Sequence, residues 1–157
     1  MDSSKTLEAG LILIFTLSVF FTYALTKGEF KTRIEKAASV AIVGMYFISA
    51  IDKFLTDSDV NRLMIKWKDI GVSKILIRFI VYFGGFWELL SSVALIASIF
   101  TKEKELLGFS VSKIRLYSIF SLVLFTLMAT LMIYVYPFRP LPIISNINSI
   151  GGLLALV

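Results

Sequence analysis

A single acidic residue lies inside a long uncharged segment of this chain. Residues 79–100 form a run of 22 in which Glu88 is the only charged side chain. Because a helix rises about 1.5 Å per residue, roughly 20 apolar residues cross the hydrocarbon core of a bilayer. Glu88 is therefore predicted to lie near mid-membrane, where ionisable residues are costly and usually face a bundle interior that holds a site or pathway.

The composition independently predicts an integral membrane protein. With 57% hydrophobic and 17% charged residues, the chain carries more apolar surface than a soluble domain of 157 residues can cover. The lipid bilayer of a prokaryotic plasma membrane or an organellar inner membrane is the expected surroundings. The net charge of +5 comes from Lys and Arg between apolar runs. We expect these cations to hold helix ends at lipid headgroups, and we expect no nucleic-acid partner.

The chain has no Cys and no His. Zinc sites, iron–sulfur clusters and the usual haem ligation need one or the other, so this chain alone is not expected to hold a metal, a haem or a cluster. If electrons move through the protein, a bound diffusible carrier or another subunit must carry them.

Uncharged runs predict an all-α transmembrane bundle that forms a single domain over residues 1–157. The predicted spans are 9–26, 37–55, 77–100, 115–136 and 141–157. A signal peptide is the alternative interpretation of the first run. Lys and Arg divide eight to eight between the two faces of such a bundle, so the positive-inside rule leaves the orientation undetermined.

The connector at 59–70 is predicted to be a short amphipathic helix in the membrane interface. Val60, Leu63, Met64 and Trp67 recur at helical spacing, and Gly71 is suited to end the helix. Trp67 would then lie at the headgroup boundary, as amphipathic rings do. The alternative is an ordinary loop helix in water.

Glu88 shares one face of its helix with small residues, which membrane helices present to close-packed neighbours. We expect Glu88 to point inward and, because burial disfavours the charged form, to be neutral at neutral pH. It would handle protons or bind a ligand. The alternative is a structural hydrogen bond to Tyr46, Ser49 or a backbone carbonyl.

Connectivity places further polar residues at one membrane face, where they can form a polar mouth leading toward Glu88. Ser49 lies one turn deeper than the mouth, which comprises Asp52, Lys53, Arg78, Arg139, Asn146 and Asn148. Glu88 lies about 15 Å below Arg78 by helical rise, whereas Lys side chains tend to snorkel outward. A direct contact between Lys53 and Glu88 is therefore not expected, and Asp52 is the predicted partner of Arg78 or Arg139.

Three segments resemble the DoxX and DoxD-like family of small membrane proteins. Residues 48–54, Ile-Ser-Ala-Ile-Asp-Lys-Phe, resemble the Ser-Gly-x-x-Lys-Leu/Phe end of the first family helix, with Ala50 in place of Gly. Residues 87–90 and 99–102 are similar to the family's Glu-containing helix that ends in Thr-Arg. Residues 146–154 are similar to its last helix. The resemblance covers residues 33–157 and implies four family-like helices with an added N-terminal helix.

The resemblance implies candidate functional positions at Lys53, Glu88 and Asn146. The family includes the membrane subunit of a thiosulfate:quinone oxidoreductase, as well as other complex components and assembly factors. It therefore implies a subunit of a quinone-linked oxidoreductase or respiratory complex, with quinone as the cofactor and other membrane subunits as partners.

In that hypothesis Lys53 and Glu88 are the catalytic residues. Lys53, helped by Arg78 or Arg139, would offset negative charge, Glu88 would exchange the proton that accompanies quinone reduction, and Trp87 or Tyr46 would contact the ring. Ser49, Asn146 and Asn148 complete the predicted cofactor site. A non-catalytic accessory or assembly subunit is the main alternative. A small transporter or proton channel ranks lower, because the sequence shows no inverted repeat.

Overall fold

The computed structural model describes residues 3–133 and 140–156, and within these ranges it forms six α-helices. They are α1 (Ser3–Leu25), α2 (Phe30–Leu55), α3 (Ser58–Lys66), α4 (Lys74–Phe100), α5 (Val111–Ile133) and α6 (Pro140–Leu154). The predicted all-α bundle is confirmed. A short β-hairpin joins α4 to α5. Its two strands, β1 (Glu105–Leu106) and β2 (Phe109–Ser110), have two residues each and are antiparallel. Its turn has positive φ at Leu107 (54°) and Gly108 (78°), as the tight turn of a hairpin requires.

Three helices, α2, α4 and α5, are long and apolar enough to cross a membrane. They correspond to the predicted spans 37–55, 77–100 and 115–136, the last of which runs on into residues outside the described ranges. Helices α1 and α6 occupy most of the predicted spans 9–26 and 141–157, but their described apolar stretches are shorter, namely Ala9–Leu25 and the 15 residues of α6. Their membrane crossing stays a prediction.

Small residues set how closely the helices approach. The Phe15 ring of α1 packs directly over Gly44 of α2, and the Phe125 ring of α5 packs on Gly84 of α4. Where α2 meets α4, a Cβ on Gly85 would lie 3.2 Å from the Cβ of Lys53. Such close approach is typical of membrane helices, which gain stability from packing small side chains. The central core forms where α2, α4, α5 and α6 meet, from Val43, Tyr46, Leu95, Ile119, Leu122 and Leu153.

Helix α3 covers the first turns of α4. Its apolar stripe packs Val60 and Leu63 against Ile77 and Val81, with Met64 and Trp67 at the edge of this cluster. The stripe was expected to face the lipid interface, but in the structure α4 buries it. Trp67 thus packs on the cluster edge. Gly71, with a left-handed φ of 72°, ends the connector as predicted.

Two polar contacts attach the connector to the bundle. The Arg78 guanidinium of α4 donates to the Asp57 carboxylate at 2.6 Å. Lys66, in the last turn of α3, donates to the main-chain oxygen of Met132 near the end of α5. This contact joins the end of α3 to α5.

Gly85→Val should loosen the packing of α2 on α4. The added methyl groups meet Lys53 and the Phe54 ring, whose atoms lie 3.2 Å from the first new carbon. Overpacking of this kind typically costs about 1–3 kcal/mol. Thermal unfolding in detergent should show a lowered Tm. Gly151→Val is the matched control, because a Cβ at Gly151 meets nothing within 4 Å. Equal losses in both variants would contradict this packing.

The contact between Arg78 and Asp57 should make stability depend on acid pH. Arg78 holds the pKa of Asp57 below its ordinary value, with a smaller contribution from Lys74. Since the folded state has the lower pKa, the contact stabilises the fold above the unfolded pKa of about 3.9, and this stabilisation is lost as pH falls through the folded value. Arg78→Gln should therefore lower the Tm slightly at neutral pH and leave it unchanged in acid. Lys68→Gln, which removes an exposed charge, is the control. If the Tm of Arg78→Gln stayed below that of the unaltered protein in acid, the contact with Asp57 would not be the cause of the pH dependence.

Candidate functional site

The site centres on a buried contact between a lysine of α2 and the glutamate in the middle of α4. Lys53 Nζ donates to Glu88 Oε2 at 2.7 Å. Only 2% of Glu88 and 9% of Lys53 are exposed, so this pair is shielded from solvent. Lys53 Nζ also donates to the Ser49 hydroxyl at 2.7 Å and to the Ser49 carbonyl oxygen at 3.3 Å. Its three N–H groups thus all have acceptors.

The prediction that Lys53 and Glu88 stay apart is wrong. It assumed that α2 ends at the level where α4 begins. In the structure α2 ends beside the middle of α4, since Lys53 lies against Gly85 and the ring of Phe54 lies 5.8 Å from that of Tyr82. The first turns of α4 run past the end of α2 and are covered by α3 instead. Lys53 therefore points into the bundle at the depth of Glu88.

A polar cavity of about 170 Å³ adjoins this pair on the side of α5 and α6. Tyr46 shares a hydrogen bond of 2.8 Å with Thr126, and since the Thr126 hydroxyl donates to Leu122, the Tyr46 hydroxyl is the donor. Asn146 donates to the Thr130 hydroxyl at 2.8 Å. The lining residues carrying polar side chains are Tyr46, Ser49, Lys53, Asp59, Glu88, Thr126, Ser145, Asn146 and Ser149.

An apolar cavity of about 300 Å³ adjoins Lys53 on the side of α3. Its walls come from α3, α4 and α5 and include Leu63, Phe83, Trp87, Leu124 and Met128. Lys53, Asp59, Phe125 and Ala129 line both cavities. Lys53 therefore lies at the junction of a polar space and an apolar one, and its partner Glu88 lines the polar space.

The structure brings together four of the predicted polar residues around Glu88. Ser49 and Lys53 contact each other, while Tyr46 and Asn146 line the polar cavity with them. Asn148 is exposed. A step of two residues turns a helix by about 200°, so Asn148 lies on the side of α6 away from Asn146.

Three other predicted residues lie elsewhere or outside the description. Trp87 lines the apolar cavity and donates from its indole nitrogen to Ser121 at 2.6 Å. Arg78 contacts Asp57 on the outside of the bundle, so the prediction of Asp52 as its partner is wrong. The chain turns back into α3 immediately after α2, and this places Asp57 within reach of Arg78. Arg139 lies outside the described residues.

Two threonines of α5 that hold polar residues of the site in place gave no prediction from the sequence, and Thr126 lines the polar cavity itself. Thr126 and Thr130 of α5 are buried and accept hydrogen bonds from Tyr46 and Asn146. Their spacing of four residues on one face of an apolar helix was the available signal. Asp59 was not among the predicted site residues, but it lines both cavities.

The Lys53 and Glu88 pair can transfer a proton between its partners. At 2.7 Å, one proton can lie on either Nζ or Oε2, and the pair is neutral overall in both arrangements. A neutral pair is less costly to bury than a lone carboxylate. The expectation that Glu88 is neutral at neutral pH did not include the contact with Lys53. It stays a prediction.

Cofactor binding by this site stays a prediction, and so does the expected lack of a metal site. Within residues 3–133 and 140–156, no three acidic side chains gather in an arrangement that would hold a metal ion. At this site, the polar side chains around Lys53 and Glu88 are available to a ligand.

Comparison with models of protein families, with curated proteins and with solved structures finds no match for this chain. The resemblance to the DoxX and DoxD-like family therefore rests on the motifs at residues 48–54, 87–102 and 146–154 alone.

Proposed function

We propose that the chain is a membrane subunit of a quinone-linked oxidoreductase or respiratory complex. The observation that carries the proposal is the position of Lys53, which is paired with buried Glu88 and lies where a polar cavity meets an apolar one. An amphiphilic carrier fits this junction with its headgroup among the polar side chains and its hydrocarbon chain in the apolar cavity. The family resemblance supports a quinone as this carrier.

The residues of the polar cavity fit a quinone headgroup. A quinone presents carbonyl oxygens on a flat ring, so it needs hydrogen-bond donors beside an apolar wall. Asn146 uses one N–H on Thr130 and has a second to offer, and Lys53 can exchange its weak 3.3 Å bond to Ser49 for a ligand oxygen. Phe125 supplies a ring surface, with its centroid 5.4 Å from Lys53 Nζ.

In the proposed mechanism the pair supplies a proton while electrons arrive from a partner subunit. When bound, the quinone is the electron acceptor, and its full reduction requires protons as well as electrons. Lys53 Nζ donates one proton to the ligand oxygen, and Glu88 balances the charge on Lys53 before the transfer. Full reduction takes two electrons from the partner subunit and two protons, so water that enters the polar cavity would supply the second proton and replace the one that Lys53 has lost. Polar side chains of the cavity, among them Tyr46 and Asn146, orient the headgroup.

One observation favours a second candidate, a structural role in an accessory subunit. All three N–H groups of Lys53 already have protein acceptors, which also suits a pair that only joins α2 to α4. Breaking a buried pair by removing one partner is strongly destabilising. In that case the exposed rings of Phe79, Phe83 and Phe86 on α4 would face partner subunits.

Quinone binding should be detectable through Trp87, which lines the apolar cavity. In the Trp67→Phe background Trp87 is the remaining one of the two tryptophans. Titration with a quinone that carries a decyl chain should quench its fluorescence saturably. Ala129→Phe fills the junction of the cavities and should weaken binding at least about tenfold, or about 1.4 kcal/mol.

Ala38→Phe is the matched control for Ala129→Phe, because Ala38 is exposed on α2 and lies away from the site. Ala129→Phe should weaken the binding of a quinone without a chain less than it weakens the binding of the quinone with the decyl chain. Quenching that does not saturate, or that Ala129→Phe leaves unchanged, would contradict binding at this junction.

Glu88→Gln separates the two candidate functions. Glutamine has nearly the same shape and can still accept a hydrogen bond from Lys53, but it cannot take up a proton. In the protein purified with its native partners, quinone-dependent turnover should fall about 100-fold or more while the assembly stays intact. Glu103→Gln, at an exposed position after α4, should leave both properties unchanged.

The opposite pattern would favour the structural role. If Glu88→Gln caused the complex to dissociate, while the fraction that stayed assembled turned over normally, the pair would act as a link between helices. Gel filtration and turnover measured on the same preparation distinguish these results.

A further inference from the structure

A third cavity lies at the end of the bundle opposite Lys53. It measures about 360 Å³ and is lined by residues near the start of α2, the end of α4, the start of α5 and the end of α6. Since α2 and α5 both begin here while α4 ends, the cavity lies at a membrane face. Lys36 and Arg115 bring two cations to its wall.

Arg115 has a buried donor without a partner. One terminal nitrogen of its guanidinium donates to the Ser98 carbonyl oxygen at 2.9 Å. Its Nε is buried and has no hydrogen-bond partner among the described residues. Such a group is expensive to leave unpaired, and native structures rarely do so without a functional reason. Because Nε itself has almost no accessible surface, an anion in the cavity would meet the terminal nitrogens, one of which donates to Ser98.

The other charges near the cavity also favour an anion. Lys36 lies with its Nζ 5.8 Å from the centre of the Phe100 ring. Among the described residues that line the cavity, Glu35 is the only acidic one, and its side chain is 59% exposed and lies 3.8 Å from Lys31. The helix ends and connections at this face carry eight Lys and Arg against four Glu, so the local potential is positive.

We infer that this cavity binds the phosphate of an anionic lipid headgroup. Arginine matches phosphate oxygens through its planar set of donors, and lysine adds a second positive charge. Basic pockets between membrane helices are a recurrent way to hold such headgroups. Ile99 and Leu156 give the cavity an apolar side for the start of an acyl chain. This site is independent of the proposed quinone site.

The test compares lipid discs of two compositions. The full chain is reconstituted in phosphatidylcholine, with or without one-tenth phosphatidylglycerol. Phosphatidylglycerol should raise the Tm of the unaltered protein, and native mass spectrometry should detect one retained molecule. Arg115→Gln should weaken this retention about tenfold and remove most of the gain in Tm, as loss of charge-assisted hydrogen bonds predicts.

Lys113→Gln is the matched control. It removes the same charge from the same helix at an exposed position that does not line the cavity, and it should keep the gain. Lys36→Gln gives a second test of the site if Arg115→Gln does not fold. Equal losses in the Arg115 and Lys113 variants would mean that surface charge alone attracts the lipid, and this would overturn the site.

A further sample, with inorganic phosphate added to phosphatidylcholine discs, shows whether the cavity prefers a lipid headgroup or a soluble anion. If phosphatidylglycerol raises the Tm and free phosphate does not, the result supports a lipid headgroup as the ligand. An equal gain from free phosphate that Arg115→Gln abolishes would overturn the lipid headgroup in favour of a soluble anion. No gain from either ligand would overturn the site altogether.

Discussion

The contact between Lys53 and Glu88 is the constraint around which the bundle is arranged. Each group alone would be a costly charge inside an apolar assembly, and together they form a hydrogen-bonded neutral pair. For the pair to meet, α2 must end beside the middle of α4, and Gly85 permits that approach because it has no side chain. The first turns of α4 are then left without α2 as a neighbour. Helix α3 covers them through the cluster around Val60 and Ile77.

This arrangement explains why a polar and an apolar cavity meet at Lys53. Placing the end of α2 inside the bundle brings its polar residues to the depth of the hydroxyl groups of α5 and the amide of α6. Covering α4 with an amphipathic helix leaves an apolar space on the other side. An amphiphile is the ligand class that matches both. At the other end of the bundle, cations around Arg115 form a separate cavity suited to a phosphate, so the two ends differ in chemistry.

Features that depend on a single helix could be predicted from the sequence. The apolar runs predicted α2, α4 and α5, and the stripe of small residues predicted that Glu88 is buried. Prediction failed where two helices must be placed relative to each other. Counting helical rise from each end could not show that α2 ends beside Gly85, so the contact of Lys53 with Glu88 was excluded. Thr126 was missed because a hydroxyl in an apolar helix usually bonds its own backbone, as Thr126 also does, and gives little compositional signal.

Infrared difference spectroscopy of the quinone-loaded protein tests most directly whether the buried pair exchanges protons with a ligand. Spectra of the reduced minus the oxidised state would be recorded for the unaltered protein and for Glu88→Gln. Proton exchange at the pair predicts a carboxyl or carboxylate band that changes on reduction and is missing from the Glu88→Gln spectrum. A Glu88 signal that stays the same in both redox states, while the ligand is bound and fully reduced, would contradict it.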